Sequence, residues 1–126
     1  MDLLSLRIAT TDVSRLAEFY TKVTGIKPFG SGDFVEFRTS SAALALCSQR
    51  SVDTHNAGAT TPASNRSAIL EFRVANVDDE RARLTSIVTE WVQEPTSQPW
   101  GNRSMLFRDP DGNLINFFAP VSAEKP

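Results

Sequence analysis

The sequence predicts an α+β fold built from two β-α-β-β-β modules packed side by side around a shared cavity. Three observations predict it. The order of elements repeats. Sliding the chain by 64 residues (76 minus 12) lays Asn76 on Asp12, Val77 on Val13, Leu70 on Leu6, Phe72 on Ile8, Leu84 on Tyr20 and Ile87 on Val23, so core-facing positions keep their character. A polar stretch at 48–66, rich in small residues, separates the halves. A lone unit of about 60 residues buries little core, so the two modules belong to one domain. Its parts are a module at 1–47, a linker at 48–66, a module at 67–120 and a short tail at 121–126.

The elements follow in order. "LLSLRIAT" (3–10) alternates and reads as a strand, with Leu6 and Ile8 on one face. Asp12 stands at a helix N-cap, where its carboxylate accepts from free backbone N–H groups. In "VSRLAEFYTKVTG", Val13, Leu16, Tyr20 and Val23 form one stripe, and Gly25 supplies the left-handed stop. "IKPFG", "DFVEFRT" and "AALALCS" read as three short strands. Residues 48–66 read as a linker or surface loop. After it, "AILEFRVA" (68–75) is a strand, "NVDDERARLTSIV" (76–88) a helix, and "EWVQEPT", "NRSMLFRD" and "LINFFAP" are strands.

Composition narrows the function. Hydrophobic residues make up 40% of 126, with eight Phe, which is enough for a core. A net charge of -2 gives no basic excess to attract nucleic acid, and the charges are scattered. The single cysteine, Cys47, excludes an intrachain disulfide and suits a reducing cytoplasm. The opening "MDLLSLRIATTD" lacks a signal peptide's basic region and long apolar run, and no segment reaches the ~18 apolar residues of a membrane span. A cytoplasmic protein with no nucleic-acid or membrane partner is expected.

Two segments carry a resemblance. "TTDVSRLAEFYTKVTGI" (10–26) resembles the opening helix of the vicinal oxygen chelate superfamily, with its Phe-Tyr pair and closing Gly. "PWGNRSMLFRDPDGNLINFF" (99–118) resembles that superfamily's last hairpin, with its Asp-Pro-Asp-Gly-Asn turn. The superfamily includes glyoxalase I, bleomycin-resistance proteins and extradiol dioxygenases. The resemblance implies a curved mixed sheet with a concave cleft, often completed by dimerisation or domain exchange, and hence a homodimer. The turn itself reads as structure: Pro110 pre-sets φ, Asp109 accepts from nearby backbone N–H groups, and Gly112 supplies a positive φ.

The resemblance also implies up to four metal positions, on the first and last strands of each module. The first stands seven residues before the helix-opening Asp, at Ser5 (12 minus 7), and the 64-residue shift gives Ile69. The last-strand position is Asn116, and its counterpart is Leu44 or Ala45. Hard cations want carboxylate or carbonyl oxygens; zinc, iron and nickel want imidazole, thiolate or carboxylate. Ile69 and Leu44 or Ala45 offer no lone pair, Ser5 is a weak ligand and Asn116 offers one neutral oxygen. His55, the only histidine, lies in the polar stretch, and Cys47 reads as a small apolar packing residue with no partner to activate it. No metal and no cofactor is expected.

Strand alternation nominates a ligand site without a metal. Ser5, Arg7 and Ala9 share one face, as do Ile69, Glu71 and Arg73, and Leu114, Asn116 and Phe118. Leu6, Ile8, Leu70, Phe72, Val74, Ile115 and Phe117 then pack under the helices. Two readings of the charges stay open: Glu71 pairs with Arg7 or Arg73 as a structural network, or one Arg grips an anionic or carbonyl-bearing ligand. Trp100 in "QPWGN" packs down as a lid or stacks on a planar ligand. Tyr20 and Glu36 have acid/base chemistry, but Tyr20 lies on the packing stripe and Glu36 has no visible partner. The leading expectation is a metal-free protein binding a small, partly polar organic molecule. The alternatives are a glyoxalase-type lyase or isomerase, metal-dependent or using Glu71 as acid/base with Arg7, and a dimeric interaction module with a vestigial cleft.

Overall fold

The computed structural model describes residues 1–121; most of the expected tail, residues 122–126, lies outside the described residues. The chain divides into two compact units, Met1–Asn65 and Arg66–Pro126. Each builds one four-stranded mixed sheet, so the α+β class with paired β-α-β-β-β modules is what the chain adopts.

The first unit runs β1 (Ser5–Thr10), α1 (Val13–Thr24), β2 (Phe29–Ser31), β3 (Phe34–Arg38), β4 (Ala43–Ser48) and α2 (Gln49–His55). Its strand order is β1-β4-β3-β2, with β1 parallel to β4 and the other neighbours antiparallel. The crossover helix α1 is fixed at both ends. Asp12 accepts from the Arg15 N–H at 3.0 Å, and Gly25, at φ 71°, donates its N–H to Thr21. Its buried side is Val13, Leu16, Phe19, Tyr20 and Val23. That side packs on β3 and β4, whose Val35, Phe37, Leu44 and Leu46 are buried; the Tyr20 and Phe37 rings lie 6.2 Å apart. Leu6 departs from its expected burial. It pairs with buried Leu44 yet stays 44% exposed on the outermost strand of this sheet.

The polar stretch is not all loop. Ser48 caps a helix over Gln49–His55 by accepting from the Ser51 N–H at 3.0 Å. Val52 is that helix's one buried side chain and packs with Ala9 and Cys47.

The second unit runs β5 (Ile69–Arg73), α3 (Val77–Arg83), β6 (Glu90–Ser97), β7 (Asn102–Arg108) and β8 (Leu114–Pro120), in strand order β5-β8-β7-β6 with β5 parallel to β8. Helix α3 stops short of the predicted residue 88. Asn76 caps its start, but after Leu84 the chain enters "TSIVT", whose β-branched residues propagate a helix poorly, and a turn follows. Leu84 and Val88 are buried all the same. The β6–β7 register shifts between Trp91 and Gln93 and again before Thr96; Pro95, which has no N–H to give the ladder, falls in the second shift. The core is Leu70, Met105, Phe107, Ile115, Phe117 and Ala119, with Phe117 edge-on to Phe72 at 5.7 Å and to Phe107 at 5.2 Å.

Candidate functional site

The hairpin turn that leads into β8 is structural, as read. Asp109, 4% exposed, takes the N–H groups of Asp111 and Asn113 on one carboxylate oxygen and the Asn113 side-chain amide on the other, at 2.7 to 2.9 Å. Gly112 sits at φ 87°. Its carbonyl accepts from Arg108 at 2.9 Å, and an added Cβ would come within 3.2 Å of the Arg66 guanidinium. This braced turn fixes where β8 begins and therefore which way each of its side chains faces.

On β8 the alternation is complete: Ile115, Phe117 and Ala119 are buried, while Leu114, Asn116 and Phe118 are half-buried on the other face. Ladder partners share a face, so the register assembles that face row by row. Ile69, Leu114, Arg108 and Glu90 form one row; Glu71, Asn116, Leu106 and Gln93 the next; Arg73, Phe118, Ser104 and Thr96 a third. Ile69, Glu71, Arg73, Asn116 and Phe118 are therefore brought together as expected. Leu106 and Arg108 belong with them and went unnoticed, because "MLF" on β7 is apolar on both faces and hides its alternation.

In the middle row the Asn116 Nδ2 donates to Glu71 Oε2 at 3.0 Å. A carboxylate only accepts, so the amide nitrogen must face Glu71, and this orients the whole amide. Asn116 Oδ1 is then left without a hydrogen-bond partner and out of contact with solvent. Glu71 is thus partnered by Asn116, not by either arginine; among the described residues, Arg7 and Arg73 form no ion pair, and both are exposed.

The corresponding row of the first unit is Arg7, Ala45, Glu36 and Phe29, flanked by a row holding Ser5, Ala43 and Arg38. The register settles the Leu44-or-Ala45 ambiguity: Ala45 shares the face of Arg7 and Ser5, while Leu44 packs on the helix side. Glu36 does have a partner. Arg38 Nε reaches its carboxylate at 2.6 Å, and the same guanidinium lies 3.8 Å from the centre of the half-exposed Phe29 ring. Tyr20 is fully buried against Phe19 and Phe37 and belongs to the core.

These residues do not fit a divalent cation. In the second unit the face offers Glu71 and one amide oxygen beside Ile69; in the first, Ser5 stands beside Ala43 and near Ala45. Hard cations take about six oxygen ligands. Among the described residues, no three His, Cys, Asp or Glu side chains gather into a metal-holding group. Cys47 is 2% exposed, and His55 is exposed on α2.

Trp100 stands apart from the row. It occupies the tip of the β6–β7 hairpin, 71% exposed, six residues along the strand from Leu106. At about 3.3 Å per residue that is roughly 20 Å from the Asn116 row. It does not pack down as a lid in this state.

The perturbed charges are not among the residues of these rows. Ser48 and Arg50 donate to Asp33 and hold its carboxyl below the usual carboxylate range. Arg103 does the same for Asp78 through two bonds of 2.7 and 2.9 Å, and Arg81 for Glu94. No described helix is long and apolar enough to cross a membrane.

The profile of the Glyoxalase/Bleomycin resistance protein/Dioxygenase superfamily matches residues 3–117. A glyoxalase/bleomycin resistance protein/dioxygenase from Nocardioides is similar at 25% identity, with 100% of this chain and 87% of that one covered and a TM-score of 0.78. A protein of unknown function from Agrobacterium tumefaciens C58 is similar at 28% identity, over 96% and 95% of the two chains, at 0.81. An enzyme of the same glyoxalase/bleomycin resistance protein/dioxygenase description from Burkholderia phytofirmans PsJN shares the fold at 0.84, with 18% identity over 96% and 100%. No curated protein matches the chain. With nearly its whole length matched by one profile, the chain belongs to the Glyoxalase/Bleomycin resistance protein/Dioxygenase superfamily.

Proposed function

We propose that this member of the superfamily works without a metal and binds a small, partly polar organic molecule on the face built around Asn116. One observation carries the reading. A polar pair, Glu71 and Asn116, sits in the middle of a face whose neighbouring positions are Ile69, Leu114, Leu106 and Phe118. Apolar surroundings with a few placed polar groups are what orient a small ligand and give it specificity. Ile69 is 48% exposed, which leaves apolar area for a ligand to cover. Arg73 extends the face by one row. Ser5 and Arg7 lie on the first unit and Trp100 at the tip of the β6–β7 hairpin, so this face is proposed without them.

The working form we propose is a cytoplasmic homodimer. Leu3, Leu4 and Leu6, at 84%, 74% and 44% exposure, supply an apolar patch for a second copy to cover. Light scattering at micromolar concentration is expected to give twice the chain mass.

The test of binding is a small-molecule screen by thermal shift, repeated on Asn116→Leu and Ile69→Glu. Hits are expected to lose their stabilising effect in both variants. Hits that stabilise both variants as well as the parent protein would place the ligand elsewhere and overturn the reading.

A further inference from the structure

We infer that the ligand end held at this face is a hydrogen-bond donor, specifically a protonated amine or amidine, and that Glu71 and Asn116 receive it as a two-oxygen fork. The inference rests on the proposal that this face binds a small molecule. It opposes the simpler expectation from the arginines on these strands, which is a ligand bearing a carboxylate or carbonyl.

The orphaned amide oxygen is the starting point. A buried carbonyl oxygen without a donor loses its hydration and gains nothing in return, so nearly all such groups in folded proteins are paired. Asn116 Oδ1 breaks that rule, and rotating the amide does not mend it. A flip would set oxygen against the Glu71 carboxylate, two acceptors face to face, and would lose the 3.0 Å bond from Nδ2. Its nearest neighbours, Leu106 on β7 and Leu114 and Phe118 on β8, carry no side-chain donor, and the donors elsewhere on this face, Arg73, Arg108 and Gln93, make no hydrogen bond to it. Among the described residues no group supplies the missing donor, which leaves the place to a ligand that displaces the side chains now covering this oxygen.

Glu71 narrows the donor's class. Among the described residues its Oε2 alone is engaged, by Asn116, so the carboxylate keeps acceptor capacity beside the orphan oxygen. Cross-strand neighbours stand about 5 Å apart at Cβ, a span that an ammonium with three N–H groups or an amidine with two parallel ones bridges. The same two oxygens fall well short of the shell a divalent metal requires but suffice for an organic cation. A carboxylate ligand would meet two acceptors and be repelled. Arg73 stands one row away on Glu71's own strand and forms no ion pair among the described residues. It favours a ligand whose positive charge is confined to one end. Leu114, Leu106, Phe118 and Ile69 ask for an apolar body behind that end.

Matched aromatic probes test this by calorimetry and by the side-chain amide resonance of Asn116: benzamidine, phenethylamine, benzamide, benzoate and benzyl alcohol. Benzamidine and phenethylamine are expected to bind at least tenfold tighter than benzoate and to shift the Asn116 amide signal. Glu71→Gln, which keeps the shape, is expected to weaken the two cations tenfold or more and to narrow the gap to benzamide. Benzoate or benzamide binding as tightly as benzamidine, or cation affinity unchanged in Glu71→Gln, overturns the inference and leaves the binding function standing. Failure of every probe to bind, with no shift of the Asn116 signal, overturns both. Asn116→Leu, which replaces the amide by an isosteric apolar group, guards against misfolding as the explanation: it is expected to keep the melting temperature while losing the cations.

Discussion

The guanidinium of Arg81 lies 3.7 Å from the centre of the Trp91 ring, and two of its nitrogens reach both carboxylate oxygens of Glu94, at 2.7 and 3.1 Å. One planar cation on α3 thus grips β6 twice, by its face and by its edge. The first register shift, between Trp91 and Gln93, falls between these two contacts, so Arg81 bridges the start of the irregular part of the strand.

That stacking separates the two tryptophans. In Trp91→Phe, the remaining Trp100 is expected to be quenched by acrylamide several-fold more efficiently than Trp91 is in Trp100→Phe, since Trp100 is 71% exposed and Trp91 is covered by Arg81. Adding Arg81→Ala to the second variant should raise the quenching of Trp91. Equal quenching of the two single-tryptophan proteins would mean that Trp100 packs down in solution.

Neighbours on β8 should respond oppositely. Phe117, 2% exposed between two rings, is expected to cost about 3–5 kcal/mol on truncation to Ala, as large aromatic deletions in cores do. Asn116→Leu removes an unpaired buried oxygen along with one bond to an exposed carboxylate, so its stability should match or exceed that of the parent. Urea denaturation of the two variants checks the register: a destabilised Asn116→Leu beside a silent Phe117→Ala would reverse the faces.

Acid should weaken the fold through three surface carboxylates. Asp33, Asp78 and Glu94 all have folded pKa values lowered by their hydrogen-bond partners, Ser48 and Arg50, Arg103, and Arg81. A depressed folded pKa contributes stability above the unfolded value and loses it as pH falls through the folded one. Urea midpoints should therefore hold steady from neutrality to about pH 5 and decline below about pH 4. Asp33→Asn with Asp78→Asn should flatten that decline. Each pair is solvent-exposed, so the changes are small and shrink further in high salt.

Chelation should change nothing. With Ile69, Ala45 and Ser5 at three of the four positions where the resemblance implies a metal, EDTA is expected to leave the melting temperature unmoved, and elemental analysis to find less than stoichiometric metal. About one equivalent of zinc, nickel, manganese or iron per chain, with a marked loss of stability on its removal, would sink the metal-free proposal.

The sequence made some of this legible and hid the rest for identifiable reasons. Helix α1 was readable because Asp12 and Gly25 signal its ends locally and its stripe repeats over three turns. The faces of β5 and β8 were readable because alternation has only two phases. Helix α2 was not: seven residues with one buried side chain, Val52, carry no periodicity to detect. The end of α3 was overrun because Leu84 and Val88 stay buried after the helix stops, so the apolar pattern outlasts the hydrogen bonding. Glu36 had its partner two residues away on the same face of β3, a strand relationship and not a helical one. Glu71 meets Asn116 across 45 residues of chain, and only the β5–β8 register reveals that pairing.

Helix α2 also makes the protein its own stopwatch. Cys47 is the chain's only thiol, and it packs with Ala9 beneath Val52. An alkylating reagent reaches it only when that helix lifts. Where opening is fast relative to labelling, the alkylation rate measures the free energy of detaching this short segment alone, apart from global unfolding. Val52→Ala should accelerate labelling well before it shifts the cooperative melting of the sheet, so a native, unmodified sulfur reports how independently the end of the first unit breathes.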